Sequence, residues 1–199
     1  MIKSFKDKET EKIFNQQKSK KLPVEIQFRA LKKLIILDNA VTERDLNAPP
    51  SNCFEHLKDA RKGECSIRIN DQWRLCFRFE EGNAYDVAIE DYHSEGEMKK
   101  RKDRLPTPTV GEILREEFIE PLGITAYRLA KDIGVSTTTI LEILNGKRKI
   151  TVETALRMAK YFGNSERFWL NLQNDIDLRN RKEKIGRELK DIQPLKISA

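Results

Sequence analysis

Arg68, Arg74 and Arg78 fall on the polar phase of stretches in which apolar and polar residues alternate, so a pleated sheet brings all three to one face. A guanidinium stays charged and offers a planar fork to two oxygens, so such a row suits a phosphate-bearing ligand. A solvated outer face of an antiparallel sheet would carry the same residues. The last alternating stretch ends in Asp91-Tyr92-His93, a carboxylate, a phenol and an imidazole. Imidazole titrates near neutral pH and suits proton transfer, although a frayed strand end has the same composition.

A second cluster lies in Ile124–Lys149. Ala130 is small enough for close helix approach, and Gly134, four residues on, accepts the left-handed conformation of a tight turn. Ser136 can cap a second helix over about Thr137–Leu144, with Ile140 and Ile143 on its inner side. Two short helices so joined are a helix-turn-helix, whose second helix would enter a DNA major groove. Thr137, Thr138 and Glu142 then reach base edges, while Arg128, Lys147 and Arg148 hold phosphates. Proteins that never touch DNA also use two helices joined by a glycine turn.

Other elements must position these groups. Ile2–Phe5 reads as a short strand and Lys6–Gln16 as a polar helix with Ile13 and Phe14 inward. Val24, Phe28, Leu31 and Ile35 recur at helical spacing, which predicts a helix over Pro23–Asp38 with one buried stripe. Ala40–Asn52 reads as a loop. Three strands of a meander follow, with hairpin signals at Asn70-Asp71 and Gly82-Asn83; Tyr85, Val87 and Ile89 fall on the apolar face of the last. Residues 94–109 hold two prolines and a basic run, and read as a linker or exposed arm. Beyond it come a helix over Val110–Phe118, one over Thr151–Phe162 with Ala155, Leu156 and Ala159 inward, and one over Glu166–Leu178 with Trp169, Leu172 and Ile176 on one side. The expected architecture is an α+β domain over 1–93, a linker over 94–109, an all-α helix-turn-helix domain over 110–178 and a charged tail over 179–199.

With 199 residues, 38% of them hydrophobic, the chain is long enough for two small cores. No apolar run approaches the ~20 residues of a membrane span, and the opening MIKSFKDKETEK lacks the apolar core of a signal peptide. Cys53, Cys65 and Cys76 form no C-x-x-C pair, which fits free thiols in a reducing cytoplasm. With only His56 and His93 available, no metal site and no cofactor is expected. Residues 1–98 carry a net charge of −1 and residues 99–199 one of +7, so a nucleic-acid partner suits the second half better.

The order strand, two helices, meander, with Ser66-Ile67-Arg68, Trp73-Arg74 and terminal Asp91-Tyr92-His93, resembles the HigB-type toxins of the RelE superfamily over Met1–His93. The stretch PTVGEILREEFIEPLGITAYRLAKDIGVS resembles HigA-type antitoxins of the Xre helix-turn-helix family over Thr107–Leu178, and Met98 before KKRKDR looks like the initiator of a second gene fused to the first. The resemblance implies a metal-independent endoribonuclease that cuts messenger RNA on the ribosome, inhibited in the intact chain by an antitoxin that represses its own operon. It assigns Arg68 and Arg74 to the phosphate charge, His93 to proton transfer, Tyr92 to the 2′-OH or a base, Asp91 to orientation of the imidazole or of a base edge, and Lys58 to the position of a family lysine; Glu55 replaces a family histidine, with His56 beside it. Lys18, Lys20, Lys21, Lys32, Lys33, Arg61 and Lys62 would dock on ribosomal RNA, and the C-terminal domain would form a homodimer. Release of an active toxin would follow cleavage between about His93 and Thr109. The competing reading is a purely regulatory DNA-binding protein whose first domain is catalytically inactive and serves for interaction. A general RNA-binding adaptor fits less well, because no aromatic platforms interleave the arginines.

Overall fold

The computed structural model describes residues 1–58, 61–91, 105–186 and 188–193. Helix α1 (Lys8–Phe14) starts where the Asp7 carboxylate accepts from the backbone N–H groups of Glu9 and Thr10, at 2.9 and 2.8 Å. Helix α2 (Val24–Asn39) follows Pro23. The region expected to be a loop contains a short helix, α3 (Glu43–Asn47), closed by a capping box between Thr42 and Asp45, and a 3-10 turn at Pro50–Asn52. A four-stranded antiparallel sheet of order β1-β2-β3-β4 comes next, made of β1 (Glu55–His56), β2 (Cys65–Arg68), β3 (Trp73–Glu80) and β4 (Asn83–Asp91). The N-terminal stretch adds two isolated parallel bridges, Ile2 to Ala84 and Phe5 to Val87.

Two local features shift the sheet from its expected pattern. Glu81 and Gly82 both have positive φ, 49° and 75°, the conformation of a primed turn, so the β3–β4 hairpin closes one residue before Gly82-Asn83. In β4, Asp86 and Val87 together oppose Phe77, because Cys76 pairs with Ala88 while Arg78 pairs with Tyr85, and Asp86 takes φ 53°. This bulge resets the alternation. Ala84 and Val87 both point into the core, and Tyr85 lies on the arginine face rather than the apolar one.

Helix α2 is not a one-striped helix. Ile26, Ala30, Leu31, Leu34, Ile35 and Leu37 are buried, and so are Lys32 and Lys33, whereas Val24 is exposed and Phe28 only half-buried. The cause is that α2 packs on β3 and β4 with one side and on the second half of the chain with another.

That second half is helical: α4 (Val110–Leu114) running on as a π turn (Arg115–Ile119), α5 (Ala126–Ile133), α6 (Thr137–Leu144), α7 (Val152–Phe162), α8 (Phe168–Ile185) and α9 (Glu188–Asp191). Phe118 on the π turn sits among Phe162 and Trp169, with ring centroids 4.9 and 4.8 Å away. In α7, Met158 takes the inward position expected of Leu156, which is exposed. Residues 179–185, expected to open a charged tail, continue α8, and Arg179 donates to the Phe14 carbonyl at 2.9 Å with its guanidinium 4.6 Å from that ring. The end of the expected linker is also packed: Leu105 is buried, its N–H donates to Gln16, and the Gln16 amide donates to Leu105 and Thr107. One apolar core therefore runs through both halves.

Candidate functional site

Short loops between β2, β3 and β4 fix the register that assembles the arginine face. Arg68 and Arg74 are directly opposite one another on β2 and β3, and Arg74 pairs in turn with Glu90 on β4. Arg74 is anchored: its Nε donates to Ser66 Oγ at 2.8 Å, and a terminal nitrogen meets the Cys53 carbonyl at 2.9 Å and the Glu55 carboxylate at 2.8 Å. Cys53 presents that carbonyl because it closes the 3-10 turn in a left-handed conformation, φ 42°. Arg68 is about half exposed and pairs with Asp71. Arg78 belongs elsewhere, four residues along β3 from Arg74 and so roughly 13 Å away, neutralised by Asp86 and Glu80 at 2.9 Å each.

Asp91 pairs with Trp73 and accepts from Gln72 at 2.9 Å, which brings it to the same end of the sheet as Arg68 and Arg74. Tyr92 and His93 lie outside the described residues. Lys58 is exposed just past β1. His56 faces away from Arg74, its Nδ1 3.3 Å from Cys65 Sγ and its Nε2 3.3 Å from Glu43. Glu55 and Ser66 support the arginines from the same face, Ser66 donating to the Glu55 carboxylate at 3.1 Å, a role that only strand pairing reveals.

The second domain meets the first beside this site. The π turn points consecutive glutamates at consecutive lysines: Glu116 pairs with Lys32, and Glu117 with Lys33 at 2.5 Å. Lys33 also donates to Ser51 and Asn52, at 2.9 and 2.8 Å, and burial lowers its pKa against the opposing pull of Glu117. Lys32 and Lys33 are thus covered inside the chain instead of forming the open ribosome-docking surface expected of them. A cleft of about 510 Å³ continues from this contact, lined by Arg29, Lys32 and Arg68 of the first domain and by Glu116, Glu117 and Glu120 of the second. On the other flank, Asp45 of α3 accepts from the N–H and hydroxyl of Ser165, at 2.5 and 2.8 Å.

At the helix-turn-helix, Gly134 takes φ 69° and Ser136 accepts from Thr139 N–H at 3.1 Å, which starts α6. Thr138, Arg128, Lys147 and Arg148 are exposed, and Thr137 and Glu142 partly so. Three candidates carry local partners: Arg128 pairs with Asp132 at 2.6 Å, and Arg148 and Glu142 meet each other at 3.4 Å. Trp169, Leu172 and Ile176 are buried within the chain, so that face of α8 is not free for a dimer. Among the described residues, no helix is long and apolar enough to cross a membrane.

Residues 3–93 match the RelE-like toxins of type II toxin-antitoxin systems, HigB, and residues 114–169 match a helix-turn-helix family. Toxin HigB-1 of Vibrio cholerae is 42% identical over 93 residues, covering 46% of this chain and 98% of the relative. Antitoxin HigA-1 of the same organism is 39% identical over 101 residues, 51% of this chain and 93% of the relative. Endoribonuclease HigB of Proteus vulgaris is 34% identical over 93 residues, 47% of this chain and 100% of the relative. Two nearly full-length matches thus divide one polypeptide between them, and the chain belongs to the HigB toxin family over its first half and to the HigA helix-turn-helix antitoxins over its second, a toxin–antitoxin fusion.

Proposed function

We propose that the first domain is a metal-independent endoribonuclease acting on messenger RNA in the ribosome, and that the second inhibits it, binds operator DNA and represses its own operon. The observation that carries the enzyme reading is the pairing of Arg68 opposite Arg74 at the end of the sheet where Asp91 leads into Tyr92 and His93. The RNA supplies its own nucleophile. Its 2′-OH attacks the adjacent phosphate, expels the 5′-oxygen and leaves a cyclic phosphate. The protein must align those atoms, stabilise the added charge and move a proton. Arg68 meets the phosphate, Arg74 adds charge from its anchored position and Lys58 adds more from the edge. His93 transfers the proton, Asp91 orients it, and Tyr92 holds the 2′-OH or stacks on a base. The 34% identity to an endoribonuclease along that relative's whole length supports this assignment.

Inhibition is supported by the cleft, which Glu116, Glu117 and Glu120 line together with Arg29, Lys32 and Arg68, so that the second domain brings negative charge to the place where a phosphate would meet these cations. The bulk of the second domain on α2 adds a steric bar to ribosome entry. For DNA, α6 enters the major groove with Thr137, Thr138 and Glu142 at base edges and Arg128, Lys147 and Arg148 at phosphates. A homodimer through a surface of the C-terminal domain other than the buried Trp169 face of α8 would set two such helices roughly 34–36 Å apart. The competing reading, a regulatory protein with an inactive first domain, draws support from Arg74, whose bonds to Ser66, Cys53 and Glu55 are those of a structural arginine.

A purified translation system decides between them. The fragment Met1–Glu97, verified as folded by its cooperative unfolding, is compared with its His93→Ala and Arg68→Ala variants and with the intact chain. Arg68 is the cleaner probe because Arg74 also braces the Cys53 turn. Ribosome-dependent cleavage lost in both variants and weak in the intact chain is expected; a folded fragment that cuts nothing leaves the regulatory reading.

A further inference from the structure

We propose that Glu43, His56 and Cys65 form a binding site for a divalent transition-metal ion, with zinc the expected occupant. The three ligands come from three elements. The β1–β2 register sets His56 directly opposite Cys65, and α3 brings Glu43 to the same place. Cys65 Sγ lies 3.3 Å from His56 Nδ1, Glu43 lies 3.3 Å from His56 Nε2, and one donor atom from each residue falls within 4.8 Å of the others. A tetrahedral ion bonded at ~2.3 Å to sulfur and ~2.0–2.2 Å to nitrogen or oxygen separates its donors by roughly 3.3–3.6 Å. The Sγ–Nδ1 separation is within about 0.3 Å of that for a sulfur–nitrogen pair on one ion, and the half-exposed Glu43 carboxylate, which now meets Nε2, would have to move to the Nδ1 side of the ring to complete the set.

The chemistry of the set is selective. Thiolate, imidazole and carboxylate together favour zinc, cobalt or iron(II) over magnesium or calcium, which take oxygen. The thiol without a metal is poorly placed: burial first, and the Glu43 carboxylate second, push it up to about 11. A divalent cation among the three reverses both effects, since its two positive charges balance the thiolate and the carboxylate. Binding replaces the Cys65 proton by the ion, so M²⁺ enters, one proton leaves, and water completes the coordination.

The site is structural rather than catalytic, because His56 and Cys65 face away from Arg74 across the sheet. It would pin the two-residue edge strand β1 to α3. Glu55, next to His56, holds Arg74, and Asp45 of the same α3 holds Ser165 of the second domain, so the ion would brace both the arginine site and the contact between domains. Neighbouring ligands along the sequence do not announce such a site, which exists only once the strands pair.

Cobalt(II) titration of the intact chain tests this. One equivalent should produce thiolate-to-cobalt charge-transfer absorption, lost in Cys65→Ser, weakened at least tenfold in His56→Ala, and kept in Cys53→Ser and Cys76→Ser. Loss of one thiol proton predicts binding about tenfold tighter at pH 8 than at pH 7. Far-ultraviolet circular dichroism checks that the variants fold, and should buried Cys65→Ser fail, exposed His56→Ala carries the test. No charge-transfer band in the unaltered chain, one that survives in folded Cys65→Ser, or one formed with undiminished cobalt affinity in His56→Ala overturns the assignment.

Discussion

Replacing Glu117 by glutamine removes one charge from a pair in which the Lys33 and Glu117 side chains are 3% and 7% exposed. The ammonium keeps Ser51 and Asn52 as acceptors but loses its counter-charge while almost fully buried. Breaking a buried ion pair by removing one partner costs about 3–5 kcal/mol. The two remaining acceptors argue for the lower end, about 3 kcal/mol, and at ~2–4 °C per kcal/mol for a chain of this size the midpoint should fall by roughly 6–12 °C. Because the pair joins the two domains, urea unfolding should show either one earlier transition or two separated ones. The double variant Lys33→Met/Glu117→Leu, which removes both charges and keeps the volume, should regain most of the loss, since apolar replacements of buried pairs are often neutral. A loss under about 1 kcal/mol, the level of an exposed pair, with no coupling between the two positions, would refute the claim that this contact holds the domains together.

Gly111 lies where a Cβ would come within 2.5 Å of the Ile143 and Leu144 carbonyls of α6. Gly111→Ala should cost about 1–3 kcal/mol through that clash and weaken DNA binding, because it displaces the end of the reading helix; unchanged unfolding and unchanged binding would contradict the packing. The Asp38 carboxyl is raised above its ordinary 3.8, first by burial and then by Asp175, against the Ile2 N–H, the N-terminus and Arg179. Its ionised form therefore costs stability at neutral pH, and the cost is relieved as acidification protonates the folded state before the unfolded one. Asp38→Asn should raise the melting temperature at pH 7 and lose that advantage below about pH 3.8, as calorimetry across pH would read. Arg148→Ala should weaken all DNA sequences alike and flatten the salt dependence, whereas Thr138→Ala should alter sequence preference; equal losses in both by fluorescence anisotropy would remove the base-reading assignment.

What the sequence made legible was local. Ser136, Gly134 and the apolar spacing from Ala130 to Ile143 all act within one short stretch, so α6 emerges with its bounds and α5 with its end at Gly134. Arg68 and Arg74 were readable because alternation and a short loop fix their register. The burial of Lys32 and Lys33 was not, since it depends on a helix surface supplied by residues more than eighty positions away. The bulge at Asp86 adds one residue without disturbing the alternation of side-chain types, so the pattern places Tyr85 on the apolar face while the fold turns it to Arg78. In α3, the Thr42–Asp45 capping box was present in the sequence but outweighed by Pro49-Pro50. Arg179 shows the opposite failure, a charged residue read as tail that in fact stacks on Phe14.

The packing of Leu105 changes what release of the first domain requires. Cleavage anywhere in residues 92–104 leaves the chain beyond the cut still held by Leu105 and Thr107 on Gln16, by Glu116 and Glu117 on Lys32 and Lys33, by Ser165 on Asp45 and by Arg179 on Phe14. The tether contributes only an effective concentration, which for a short linker is on the order of millimolar. Cutting it converts an intramolecular contact into a bimolecular one without removing a single bond of the interface. A chain with a protease site introduced among residues 94–104 should therefore run as one species on size exclusion after complete cleavage, and should still cut messenger RNA poorly. Introducing Glu117→Gln into the cleaved protein should separate the halves and raise cleavage together. If the nicked but otherwise unaltered halves separate at micromolar concentration, the interface is weaker than its burial implies and the covalent link itself is the restraint; if they stay together, freeing the first domain requires unfolding or degradation of the second.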